Sequence, residues 1–250
     1  MGPTWYLVGH STRFQTTLTE NIENNPVVMT KLSHRLGLSS SLSFQDVYSL
    51  TEPELLELIP RPCLALLFLF PITDESEKAF QSEIASQPEY QGSGPNEPIM
   101  WFKQTIGHAC GLIGLLHCIT NGEAATQIQV NSDLDGLVKA ALPLRMKERA
   151  DLLYNSEMLE KAHQEAAQTG DSKAPTSDER VGYGFTAFVK GKDGHLWELE
   201  GRRNGPLDRG LLAEDEDVLS EKALRMGPLR IINQEKAVEG RFSCLALTAA

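Results

Sequence analysis

The chain has 250 residues, 41% of them hydrophobic, which is enough for one sizeable core. Its 34 acidic against 23 basic side chains leave a net charge of −11, which excludes a basic nucleic-acid footprint and suits a positively charged partner or peptide tail. The 4 cysteines, Cys63, Cys110, Cys118 and Cys244, are too scattered for a disulfide scaffold or a zinc cluster, so reduced thiols and no metal are expected.

The opening MGPTWYLVGHSTRF has no long apolar core, and Gly2 lacks the downstream Ser or Thr of a myristoylation signal. The most apolar run, Cys63 to Ile72, is 10 residues long and fits a buried strand rather than a membrane span. A cytoplasmic or nuclear location is expected. Pro26, Val28, Leu32 and Leu36 predict an amphipathic helix with proline in its first turn. Phe44 to Tyr48 reads as a short strand, and Glu52 to Ile59 as a short helix stopped at Pro60. CLALLFLF is apolar throughout, as a strand covered on both faces would be.

Thr73 to Ser86 is polar and helix-forming, and the stretch between Pro88 and Pro98 is a loop. A long apolar helix is expected from Cys110 to Ile119. Residues Ser132 to Gln168 read as helical with breaks at Pro143 and near Asn155, followed by a loop over Thr169 to Ser177. Val181–Lys190 and His195–Glu200 predict a hairpin about a Gly-Lys-Asp-Gly turn. Glu214 to Asn233 is mostly helical with a break at Gly227–Pro228, and Phe242 to Thr248 is a last strand. With no repeats and no long linker, one α/β domain over residues 1–250 is expected, with residues 1–24 as an N-terminal extension.

MWFKQTIGHACGLIGLLHCITNG carries the chemistry. Cys110 sits where a glycine-containing loop enters an apolar helix, and a helix N-terminus tends to lower a thiol pKa. Gln104, six residues earlier, can offer an N–H to an oxyanion formed when Cys110 attacks a carbonyl. From spacing alone, a cysteine in such a helix is more often packing than nucleophile. Cys118, on about the same helix face, reads as core, as do Cys63 and Cys244.

QTIGHACGLIGLLH resembles the Q-T-I-G-N-x-C-G-x-x-x-L-x-H pattern of ubiquitin carboxyl-terminal hydrolases, papain-like cysteine hydrolases. The likeness extends through NPVVMTKLSHRLGL, LALLFLFPIT, DGHLWELEGRRNGP and RFSCLALTAA, nearly the whole chain. It implies an antiparallel sheet flanked by helices, with a crossover segment at about residues 156–180 arching over the active site. It also implies Cys110 as nucleophile, Gln104 as oxyanion donor, no cofactor, ubiquitin or a ubiquitin-like protein as partner, and a monomer that binds neither nucleic acid nor membrane.

The departures matter more. Where the family places its catalytic histidine, this chain has Gly184, and its third member, an aspartate, becomes Glu200. The predicted hairpin brings positions 184 and 200 close to opposite one another. Gly184 can neither take a proton from Cys110 nor return one to a leaving amine, and loss of a general base commonly costs about 10²–10⁴-fold. His108, where the family has asparagine, and Glu200 are the candidate substitute bases. His195 is expected to face away, His117 to lie about two helical turns from Cys110, and His163 to approach only if the crossover segment folds inward.

Three functions fit these residues: a weakened or differently based ubiquitin hydrolase; a ubiquitin-binding protein that does not cleave; and a related enzyme turned to acyl transfer, cyclisation or lyase work on a small molecule.

Overall fold

The computed structural model describes residues 22–169, 182–234 and 242–250. Six antiparallel strands form one sheet in the order β1-β6-β2-β3-β4-β5. They are β1 (Leu42–Asp46), β2 (Ala65–Ile72), β3 (Gly182–Lys190), β4 (His195–Leu199), β5 (Leu207–Leu211) and β6 (Ser243–Ala249).

The middle strand β2 is apolar on both faces because both are covered. Ala65 and Leu67 point into a layer built on α4 (Cys110–Ile119), with α1 (Pro26–Leu36), α5 (Asp133–Ala141), α6 (Met146–Tyr154) and α7 (Glu157–Ala167) around it. Leu66 and Phe68 point into a second layer with α8 (Glu221–Met226) and α9 (Pro228–Gln234), near the short α2 (Pro53–Leu56). This strand-by-strand alternation is what a sheet between two apolar layers requires. α4 is buried along nearly its whole length, and Gly114 lets it approach β2: a Cβ there would lie 2.7 Å from Leu67 Cδ1.

Helix ends follow local rules. Asn25 accepts from Val27 N–H and Val28 N–H at the start of α1, Pro26 opens the helix, and Gly37 closes it at φ 115°. Thr73 and Ser76 form a reciprocal cap on α3 (Asp74–Ser86).

The expected hairpin is β3–β4, and α4 has the expected bounds. The break at Gly227–Pro228 separates α8 from α9. The first strand lies two residues earlier than read, at Leu42–Asp46, and the first helix after it shrinks to Pro53–Leu56. The strand β5 was not read at all. Its sequence, LDRGL, has no apolar alternation because it is an edge strand with no buried residue. Most of the loop read over Thr169 to Ser177, and the crossover segment beyond residue 169, lie outside the described residues. Among the described residues, no helix is long and apolar enough to cross a membrane.

Candidate active site

Cys110 is the first residue of α4, with Ala109 as N-cap and no side chain capping the end. Its thiol therefore sits among N–H groups that have no partner within the helix. Burial pushes the thiol up from its ordinary range. The N–H groups of Gly111 and of Cys110 itself pull it down, as does the charge of Arg202, without overcoming burial. The expectation from the helix end alone is thus reversed, because withdrawing a thiolate from water outweighs the dipole.

The Gln104 segment is fixed from two sides. Towards α4, Phe102 N–H donates to His117 Nε2 at 3.0 Å, and Asn121 Oδ1 and Nδ2 bracket Met100 with bonds of 2.6 and 2.8 Å. His117 lies near-parallel to the Trp101 and Phe102 rings, and burial drives it down to about 3, so it is a neutral acceptor. A residue two helical turns beyond Cys110 thus sets the backbone that leads to Gln104.

Towards the sheet, Gln104 N–H donates to Gly201 O at 2.8 Å and Trp101 Nε1–H to Glu200 O at 3.3 Å. Lys103 Nζ donates to the carbonyls of Arg202 and Arg203. Gly201 is needed for the close approach, since a Cβ there would lie 2.9 Å from Gln104 Cβ and from Ile113 Cγ2. The Gln104 amide currently donates to Ile106 O at 3.3 Å, leaving its second N–H for a ligand.

Gly184 lies opposite Phe70 in the β2–β3 register, and the Phe70 ring covers it. A Cβ built on Gly184 would meet Cζ of that ring at 2.8 Å. The volume where an imidazole would start is therefore occupied by an aromatic ring, not held open. The register also corrects the expected pairing of positions 184 and 200. Ala187 faces Leu199, so one step further along the ladder Glu200 comes to Thr186, not to Gly184.

Glu200 is buried, at 3% exposure, and held by arginines. Its Oε1 accepts from Arg202 Nε at 2.6 Å, and Oε2 lies 3.8 Å from Arg203 Nε. Burial raises its pKa against the pull of Arg202 and Arg203. Arg202 in turn donates to Glu77 on α3 at 2.9 Å and lies over the Phe80 ring at 4.3 Å. These side chains surround a cavity of about 330 Å³ between α3, α9 and the sheet, in whose wall neither Cys110 nor Gln104 takes part.

The histidines divide clearly. His108 is exposed, at φ 60°, a left-handed position that suits the asparagine of the resembling pattern. Among the described hydrogen bonds, none joins it to Cys110. His195 pairs with Asp208 on β5 at 2.9 Å, which raises its pKa, at the turn end of the hairpin. His163 is buried on α7, among the residues that pack towards α1.

The structure thus brings Cys110, Gln104 and the Glu200 strand into one neighbourhood and leaves His108 at its rim. Reading the sequence missed Phe70, His117, Asn121 and Arg202. Only their nearness in space marks them, except that His117 sits in the resembling motif itself. Among the described residues, no cluster of His, Cys, Asp and Glu could hold a metal ion.

Comparison with known proteins bears on the family and the fold. Residues 20–227 match the family described as ubiquitin carboxyl-terminal hydrolase, family 1. A ubiquitin carboxyl-terminal hydrolase of Aplysia californica is 37% identical over 194 residues, covering 78% of this chain and 86% of the relative. The isozyme L1 of Equus caballus is 34% identical over 229 residues, covering 92% and 97%. In shape, the chain is similar to the UCH37 catalytic domain of Trichinella spiralis, crystallised bound to ubiquitin vinyl methyl ester. The TM-score is 0.69 at 22% identity, over 92% of this chain and 95% of that one.

Proposed function

The chain belongs to the ubiquitin carboxyl-terminal hydrolase family, and on that premise we propose that it is a thiol hydrolase of ubiquitin C-terminal adducts that works without an imidazole base. The carrying observation is that Cys110 stands at the start of α4 beside a rigidly held Gln104 segment, while Phe70 fills the place above Gly184.

In this reading Cys110 Sγ attacks the carbonyl carbon of the ubiquitin terminus, and Gln104 Nε2–H donates to the oxygen that becomes negative. Among the described hydrogen bonds none joins an imidazole to the thiol, so in this reading attack draws on the small thiolate fraction, made smaller by burial. Nor, in this reading, does an imidazole among the described residues return a proton to a departing amine. Isopeptides and amides should therefore suffer more than esters or thioesters, whose leaving groups depart without protonation. Loss of the base corresponds to about 10²–10⁴-fold in ordinary hydrolysis.

A second reading is that the chain holds ubiquitin without cleaving it. The closed space at Gly184 and the raised thiol of Cys110 favour it.

Incubation with ubiquitin carrying a C-terminal electrophile, read by intact mass, separates the two. A covalent adduct that disappears in Cys110→Ala supports the hydrolase. Ubiquitin binding of micromolar strength without an adduct supports the second reading. Neither binding nor adduct sinks both.

A further inference from the structure

On the face of the sheet opposite α4, a groove of about 820 Å³ runs between α2 and the α8–α9 pair. Leu50, Leu56, Ile59, Leu224 and Leu229 line it. Two further large apolar side chains close to the lining residues in sequence are exposed, Tyr48 at 74% and Leu58 at 64%. Apolar side chains gathered in an open groove offer a place for a partner's apolar stripe.

The charges around it are unequal. Arg61 is paired with Asp217, and Arg225 with Glu221 at 2.6 Å, so both local cations are already answered. Glu52, Glu54 and Glu57 are exposed, and among the described residues no cation is paired with any of them. Glu57 lines the apolar channel, with Glu54 in the adjoining short helix α2 and Glu52 as its N-cap, in a chain of net charge −11.

We propose that this groove docks an amphipathic helix of a partner protein, with an apolar stripe in the channel and lysines or arginines facing Glu52, Glu54 and Glu57. Helix-in-groove recognition uses anchors at positions i, i+3, i+4 and i+7, and the flanking charges set orientation and approach. Ile22, where the described chain begins, is packed in the other layer, its carbonyl 3.3 Å from where a Cβ on Gly111 would stand. The groove and Cys110 lie on opposite sides of the sheet, so docking leaves the thiol accessible.

The test uses the full chain and three fluorescein-labelled peptides of about 18 residues, five helical turns. One has a leucine stripe flanked by lysines, one the same stripe flanked by glutamates, and one the lysine composition with the leucines scrambled. Fluorescence anisotropy should show the first binding at least about tenfold more tightly than either control. The surface variant Glu52→Gln/Glu54→Gln/Glu57→Gln, checked for an unchanged melting temperature, should lose about tenfold in affinity, as should Leu56→Ala/Leu229→Ala.

Equal binding of the scrambled lysine peptide would reduce the effect to net charge and overturn the proposal. So would binding unaffected by the glutamine variant. Binding that appears only after residues 1–21 are removed would give the groove to the chain itself. A dimer in sedimentation that is lost in Leu56→Ala/Leu229→Ala would give it to a second copy. Either result also overturns the proposal.

Discussion

Phe70 and Gly184 stand opposite each other on β2 and β3, and the ring of one lies where the side chain of the other would begin. The contact is with the far end of the ring, 2.8 Å from a Cβ on Gly184, so the ring could swing, but only by giving up its place. Its neighbour Phe68 lies at 6.2 Å between centroids, in near-parallel orientation. In the proposed reading, glycine in the histidine's place is thus also a packing change. Restoring the imidazole sets catalysis against ring position.

This gives a graded prediction. Gly184→His alone should raise kcat/KM on a ubiquitin C-terminal amide less than Gly184→His/Phe70→Leu does, the double variant approaching the full general-base gain of about 10²–10⁴-fold. Phe70→Leu alone should add nothing to turnover. Gly184→Ala should destabilise by about 1–3 kcal/mol in urea titration, the usual cost of overpacking. Equal rates for the single and double histidine variants would show that the ring does not obstruct.

Much of this frame is legible in the amino-acid order. The apolar run of β2, the proline-started α1 and the glycine-flanked α4 each follow from local pattern, and the likeness carried by QTIGHACG is what points to Cys110 and Gln104 for the proposed roles. The relation of Phe70 to Gly184 is not legible, because it depends on the register between strands more than 100 residues apart. The same holds for Glu200. Its chemical type is visible in sequence, but its capture by Arg202 and Arg203 comes from a turn that folds the next residues back over α3. β5 escapes because an edge strand needs no apolar face.

The thiol of Cys110 should titrate above the ordinary cysteine range. Its carbamidomethylation by iodoacetamide should therefore be slow at pH 7 and keep rising as the pH passes 9. Peptide mapping separates this rate from those of Cys63, Cys118 and Cys244, which are buried. A rate that levels off below pH 8 would mean that the helix N–H groups and Arg202 prevail over burial.

Burial holds His117 neutral down to about pH 3, against 6.5 for a free imidazole. A depressed folded-state pKa contributes stability that is present above pH 6.5 and is lost as the pH falls towards 3, at up to about 1.4 kcal/mol per pH unit. In His117→Gln, this part of the acid sensitivity should vanish from urea midpoints measured between pH 6.5 and 4. At neutral pH the variant should also react more slowly with the ubiquitin electrophile, since Phe102 N–H no longer fixes the Gln104 segment through the same acceptor. An unchanged acid profile would remove His117 from the account.

Arg149 is fully buried and makes a two-pronged pair with Glu97, at 2.9 and 2.5 Å, while its Nε donates to Ala141 O at 3.0 Å. The pair ties the loop before the Gln104 segment to α6 and to the end of α5. Removing one member leaves the other charged in the core, which commonly costs about 3–5 kcal/mol, whereas replacing both by apolar groups of similar volume costs far less. Glu97→Gln and Arg149→Met should therefore each be strongly destabilising, while Glu97→Leu/Arg149→Met is milder than the sum of the singles. Because Trp101 O also lies 3.5 Å from Arg149 Nη1, the double variant should lose some electrophile capture even where its fold holds. Strictly additive singles in a double-mutant cycle would show that the two charges do not act as a pair.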